Sequence, residues 1–340
     1  MSVLRQRAMT LVGALISVAA LVWLARSHDW RDLVQSFRDA DWRWLALVPL
    51  LMLPNFALRA QRWRILFPEQ RLPGFSGAFA ALMAGYLFNN VLPARAGELV
   101  RVHLIGRREQ LPRSTALGTV VLERTLDLLV LLALLAAVLP TQPLPAWAGA
   151  ASKVVAAAAL VALAAVIAMA LLGQPALRFV VSSAVYARLP QAAGARLAQA
   201  GSSFIEGVSS ALRTRHLGRF IGLTALVWLL ELLLVAVLAR GFGVQIGALG
   251  LLFVMLIIAL GTMVPSSPGY LGTFELFGIT ALGLLGVAGG GALGFVVAYH
   301  ATVLFGASLI GALTLAWYGW PRLDQALGRP ARAAPAPGAQ

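Results

Sequence analysis

Long apolar runs, separated by short stretches that carry arginine, govern what this chain can fold into. One of them is "AMTLVGALISVAALVWLA" at 8–25, and about 20 such residues in a helix cross about 30 Å of hydrocarbon. Of 340 residues, 60% are hydrophobic and only 12% charged, against about a quarter charged in soluble domains. Mean hydropathy is +0.83. The chain reads as an all-α, polytopic membrane helix bundle with no stretch left for a sizeable soluble domain.

The formal charge of +14 comes almost wholly from arginine, Lys153 being the only lysine. These arginines lie in short loops between apolar runs, where they act as topology signals and anionic-lipid contacts, so nucleic acid is not the expected partner. There is no cysteine, which excludes disulfides, thiol catalysis and cysteine metal sites. His28, His103, His216 and His300 show no metal-ligand spacing, and no metal or cofactor is expected. The stretch behind Arg5 and Arg7 exceeds a signal-peptide core and lacks an A-x-A site, so it is read as an uncleaved first span.

Six full spans are expected near 8–25, 43–58, 117–139, 150–172, 218–240 and 292–317. Regions 75–110 and 248–288 are broken by proline and glycine and are drawn as re-entrant helical hairpins that return to the side they entered from. Arginine placement then orients the bundle. Arg59, Arg62, Arg64 and Arg71 fall in a cytoplasmic loop, as do Arg101, Arg107, Arg108 and Arg113, whereas the acid-balanced loop 26–42 lies outside. Both termini are expected in the cytoplasm of a bacterium, with the chain in its inner membrane. Segment 173–217 is expected to lie as amphipathic helix on the inner leaflet. The integral domain is drawn over 1–322 and the Pro/Ala-rich tail 323–340 as disordered.

The two broken regions share a pattern, [LV]-P-x-x-x-G-x-L, at Leu92–Leu99 and Val264–Leu271. Pro265 follows Pro93 by 172 residues, and Ala292 of "ALGFVV" follows Ala116 of "ALGTVV" by 176. Halves at roughly 43–140 and 218–317, entered from opposite sides, make an inverted repeat, a plan in which transporters build substrate sites from broken helices.

Polar residues concentrate at these breaks. In "NNVLPARAGELVR" the helix is expected to end near Asn90, turn through Ala94 to Gly97 and restart. A restarted helix favours anions such as phosphate, and Arg95 and Arg101 add fork-shaped donors, with Glu98 able to meet an ammonium or an arginine. The plainer reading is that these arginines mark a cytoplasmic edge; Asn89, Asn90 and Glu98 are not needed for that. "MVPSSPGYLGTFE" repeats the device: Pro265 and Pro268 break the helix, Ser266 or Ser267 caps the next one, and Glu275 lies two turns in, or the element is a simple capped kink. In "VLERTLDLL", Glu123, Arg124 and Asp127 sit inside a span, where a lipid-facing charge costs about 3 kcal/mol or more, so all three must face protein or a cavity. They serve either substrate or an interhelical staple. Glu231 and His300, also intramembrane, are candidate remote partners of Arg124 or members of a proton path. Gly286, Gly290 and Gly294 have the spacing of a close helix contact.

On "NNVLPARAGELVR", "VVLERTLDLL" and "PSSPGYLGTFE" together, the chain resembles the lysylphosphatidylglycerol synthase transmembrane-domain (UPF0104) family over nearly its whole length. The resemblance implies a lipid flippase, moving an aminoacylated phospholipid, a hopanoid or a polyprenyl-linked lipid between leaflets. It implies functional roles for Arg95, Gly97, Glu98, Arg101, Glu123, Arg124, Asp127, Pro265, Pro268, Gly269 and Glu275. Family members that carry a synthase domain make the lipid they move; no such domain is expected here, so the expected protein is a transporter of membrane lipids and not an enzyme. The alternatives are an intramembrane lipid-modifying enzyme and an accessory subunit that serves a separate lipid-synthesising enzyme.

Overall fold

The computed structural model of the chain describes residues 17–24, 26, 30–92, 95–138, 141–142, 146–183, 186, 190–211, 214–264 and 266–318. Arg5, Arg7, most of the first expected span, Pro93, Ala94, Pro265 and the tail 323–340 lie outside them. Every regular element among the described residues is helical.

The first half runs through α1 (Trp30–Arg38), the single turn α2 (Trp42–Leu45), α3 (Val48–Arg64), α4 (Phe75–Val91), α5 (Gly97–Arg108) and α6 (Arg113–Val138). Two helices follow, α7 (Ala146–Val181) and α8 (Gln191–Ala211). The second half holds α9 (Thr214–Gly241), α10 (Ala248–Gly261), α11 (Thr273–Leu284), α12 (Gly290–Ala301) and α13 (Ala307–Tyr318), the last two joined through a π-helical turn at Thr302–Gly306.

Three expectations are corrected. Loop 26–42 is not irregular: Trp30–Arg38 is a helix, laid against α12 where Gly290 and Gly294 approach Asp32 and Ser36. Gly286 takes no part in that contact; it lies outside the helices, with φ +74° and open space around it. Arg59, Arg62 and Arg64 are not in a loop, because α3 continues to Arg64. Segment 173–217 is largely helical among the described residues. Helix α7 continues through Pro175 to Val181, and α8 packs on α6 and α7, burying Ile205 and Val208.

Helix length explains the broken regions. At 1.5 Å per residue, the 17 residues of α4 and the 14 of α10 reach about 26 and 21 Å, and the 12 of α5 and of α11 about 18 Å. None covers the hydrocarbon alone. Among the described residues two helical stretches are long and apolar enough to cross, Gly218–Gly241 and Gly290–Trp317, and a third counts if the pair Leu163–Met169 and Leu171–Val181, bent by 62°, is one span. On both clear spans large apolar side chains face outward at helical spacing: Leu226, Leu229 and Leu233 on one, Leu309, Leu313 and Trp317 on the other.

Two large apolar cores form, each centred on one half, with Leu131, Leu135 and Val138 of α6 joining the second-half core and Phe220 of α9 joining the first-half core. One gathers Trp63, Phe67, Leu82, Met83, Ile105 and Leu122, and the other Leu238, Phe253, Val254, Leu256, Phe295 and Val296. Inside the first, α4 and α5 touch backbone to backbone at Gly97, where a Cβ would lie 2.0 Å from the Gly85 carbonyl oxygen and 2.6 Å from the Asn89 amide nitrogen. Backbone cannot swing aside as a side chain does. Gly97→Ala is therefore expected to lose on the order of 2 kcal/mol or more of stability. Unfolding of purified protein in detergent checks this, and an unchanged transition would mean the two helices are not in contact.

Candidate functional site

The deepest polar feature is a ring of six charges. Arg62 of α3, Arg101 of α5 and Glu123 of α6 are each only 1% exposed. Arg62 donates to Glu123 Oε1 at 3.2 Å and pairs with Asp127 Oδ1 at 2.7 Å. Arg101 Nη2 donates to Glu123 Oε2, and its Nε lies 3.1 Å from Glu98 Oε2 but off the N–H direction. Arg124 closes the ring at 3.6 to 3.8 Å from Glu98, Glu123 and Asp127. Three guanidiniums face three carboxylates, so the ring is neutral by count. Trp63 supports it from within: its ring lies 4.4 Å under the Arg101 guanidinium, and its Nε1 donates to Thr119 Oγ1 at 3.1 Å.

Between the halves, α3 meets α9. Arg59 Nη2 donates to Glu231 Oε2 at 2.9 Å, Asn55 Nδ2 donates to the Val227 carbonyl at 3.1 Å, and Tyr299 OH donates to Glu231 Oε1 at 3.1 Å. Asn55, Arg59 and Arg62 are four and three residues apart, on one face of α3, pointing inward.

The two breaks meet. Helix α4 ends at Val91, one residue past the expected stop, and Asn90 Nδ2 donates to the Leu304 carbonyl in the π-turn at 3.0 Å and to Ser308 Oγ at 2.9 Å. Arg95 follows with φ +53°, a left-handed conformation that costs a side-chain-bearing residue on the order of 1 kcal/mol or more. Its Nη2 donates to the Thr262 carbonyl at 2.9 Å, and its guanidinium lies 5.6 Å from the Tyr270 ring centre. In the second break Gly269, Tyr270 and Gly272 all take positive φ. A side chain at Gly269 would meet Leu304 at 2.9 Å.

Glu275 corrects the expected cap. It lies in the first turn of α11, where its Oε2 accepts from the Gly272 amide at 2.8 Å, while the buried Ser266 and Ser267 hydroxyls make no hydrogen bond among the described residues. Its Oε1 lies 2.5 Å from His300 Nδ1, and His300 Nε2 lies 2.7 Å from the Gly269 carbonyl oxygen.

Of the residues singled out from the sequence, Glu98, Arg101, Glu123, Arg124 and Asp127 come together in the ring. Asn90, Arg95, Pro268, Gly269 and Glu275 come together at the meeting of the breaks, with Ser266 and Ser267 in the same segment and Asn89 against Gly97. Pro265 lies outside the described residues. Neither Glu231 nor His300 is the partner of Arg124; each is engaged elsewhere. The residues that the sequence reading missed are Arg62, Arg59 and Asn55, whose shared helical face was the available signal.

Residues 10–311 match the family model described as the lysylphosphatidylglycerol synthase TM region. A "UPF0104 membrane protein" of Methanothermobacter thermautotrophicus is 24% identical over 282 residues, 79% of this chain and 82% of that protein. "Glycosyltransferase AglD" of Haloferax volcanii is 29% identical over 138 residues, 39% of this chain and only 22% of that protein's length. No solved structure matches the chain.

Removing one partner of a buried ion pair strands the other charge, at a cost of about 3–5 kcal/mol. Arg62→Met is expected to lose stability on that scale, because Glu123 and Asp127 both lean on it, and adding Glu123→Gln should recover part of the loss. Chemical unfolding in detergent measures both; a loss under about 1 kcal/mol for the single variant would mean that the ring is solvated.

Proposed function

We propose a function from one premise: the chain belongs to the lysylphosphatidylglycerol synthase TM-region family. Our reading is that it translocates a polar-headgroup lipid between the leaflets of a bacterial inner membrane, with both termini cytoplasmic. One observation carries it. At the junction of the two breaks stands Arg95, partly exposed, strained, and facing no carboxylate among the described residues. The arginines of the buried ring are matched by carboxylates. An anionic headgroup has most to gain where a guanidinium lacks a counter-charge. We therefore assign Arg95 to the phosphate or an equivalent anion, with Asn90 and the unpaired hydroxyls of Ser266 and Ser267 flanking it. Glu98 and Asp127, 19% and 22% exposed, offer carboxylates to a cationic part of the headgroup. Glu123, Arg124 and Arg101 hold the wall behind them.

The inverted repeat and six full spans belong to the same proposal. Each half orders its elements alike: a first helix of 17 residues in α3 and 28 in α9, two helices of 12 to 17 residues, then a helical stretch of 26 residues in α6 and 28 in Gly290–Trp317. Residues 172 apart, the spacing of the two proline motifs, touch each other at Asn55 with Val227 and at Arg59 with Glu231. Equivalent residues meet in this way near a two-fold pseudo-axis. Backbone broken at membrane depth is tolerated only inside protein or beside a wet cavity, which suits a path for a headgroup. The headgroup class is the one the family resemblance implies: aminoacylated phospholipid, hopanoid or polyprenyl-linked lipid.

The partial likeness to a protein named a glycosyltransferase favours a second reading, a lipid-modifying enzyme or a subunit that serves one. Product formation in detergent micelles, which have no two leaflets, separates that reading from translocation. For the first reading, protein in liposomes is expected to move one class of fluorescent lipid out of reach of an external reductant. Arg95→Gln should abolish the movement while Arg95→Lys keeps part of it. Equal movement in the wild type and in Arg95→Gln would overturn the assignment.

A further inference from the structure

The proton inventory of one buried pair leads beyond this reading. His300 is 4% exposed, and both of its ring nitrogens face oxygen acceptors. A backbone carbonyl only accepts, so the 2.7 Å contact between Nε2 and the Gly269 oxygen requires a hydrogen on Nε2. The 2.5 Å contact between Nδ1 and Glu275 Oε1 requires another, carried either by the imidazole or by the carboxyl. The pair thus holds one proton more than a neutral imidazole beside a carboxylate. Without that proton the Nδ1 lone pair would point at an anion.

We propose that His300 and Glu275 form a proton-binding site that locks the second break when protonated and frees it when the proton leaves, coupling proton movement to headgroup movement. The coupling rests on the translocator reading above; the lock itself does not. The lock fits because the pair grips the break at two points: His300 holds the Gly269 carbonyl, and Glu275 Oε2 holds the Gly272 amide. Between these points Tyr270 is strained at φ +59°. Phe274 stacks on the imidazole at 4.4 Å, so the ring has little freedom unless the break moves. The π-turn begins two residues after His300, in a helix that already departs from regular pairing.

The surrounding charges give the coupling its sign. From α12, Tyr299 lies beside His300 and donates to Glu231 of α9, which Arg59 of α3 neutralises. From the break, Tyr270 carries Arg95 over its ring. A protonated pair is neutral and leaves Arg95 to an anion. A deprotonated pair adds a negative charge to the segment Arg95 contacts, weakening its hold on the anion. Proton and anionic headgroup are therefore bound together and released together.

The chain has no cysteine, so Leu271→Cys, at an exposed position within the break, reports on it alone. Its maleimide labelling rate in detergent is taken relative to Leu197→Cys on α8, which cancels thiol ionisation, between roughly pH 5 and 9, a range that spans ordinary histidine titration. The normalised rate should rise with pH by about tenfold or more, as expected from losing a charge-assisted hydrogen bond. With Glu275→Gln the amide can donate to neutral Nδ1 while its oxygen still accepts from Gly272, so the rate should stay low throughout. With His300→Ala the rate should stay high throughout. A flat profile for the parent, or a Glu275→Gln profile that follows it, overturns the lock. Should His300→Ala fail to fold, the parent and Glu275→Gln profiles decide alone. In liposomes under an imposed pH gradient, gradient-insensitive lipid movement overturns the coupling and leaves translocation standing. A titrating break with no movement of any lipid upholds the lock and overturns the translocator reading instead.

Discussion

Charge cannot be left facing hydrocarbon, and this constraint organises the first half of the molecule. Arg62, Arg101 and Glu123 are buried almost completely, and each is tolerable there only because the others are present. Their ring ties α3, α5 and α6 together, so the α4–α5 hairpin cannot slide along its neighbours without stranding a charge. Apolar contact alone could not fix that register, since lipid tails satisfy leucine as well as another helix does. The second half is tied differently, through Glu231 to Tyr299 and through Glu275 to His300. One half is held by guanidinium–carboxylate pairs and the other through a tyrosine and a histidine.

The same constraint acts on backbone. Where α10 stops short, its end is satisfied from across the junction, and elsewhere at the breaks side chains meet backbone groups. The Asn90 amide reaches a carbonyl in the π-turn, Arg95 reaches the carbonyl of Thr262 just past α10, and Glu275 caps the Gly272 amide. The breaks thus complete one another. A polar junction is assembled from two segments about 170 residues apart in the chain.

Much of this was legible beforehand. The proline and glycine motifs placed both breaks, and the end of α4 came within one residue because a proline restricts the residue before it. Glu123, Arg124 and Asp127 were read as facing inward because lipid would punish them; Glu123 is buried, and Arg124 and Asp127, 36% and 22% exposed, sit against opposite charges of the ring. Their main partner was not legible. Arg62 follows an apolar run among other arginines, so it looked like a boundary marker; hydropathy does not distinguish an arginine that ends a helix from one that extends it inward. The cap at the second break was misassigned for a related reason. Serine and glutamate both suit a helix start, and only the left-handed glycine at 272 brought the Glu275 carboxylate back onto the backbone.

The π-turn at Thr302–Gly306 has a geometric consequence for the long helix that contains it. A π-turn adds a residue to the coil, and each residue of an α-helix accounts for about 100° of rotation. The stretch beyond the turn is therefore indexed out of phase with the stretch before it. One rod then presents His300 to the second break and Ser308 to Asn90 at the first. A uniformly wound helix would have to choose between them, so the irregular turn works like the offset in a cam, letting a single shaft engage two followers at different angles.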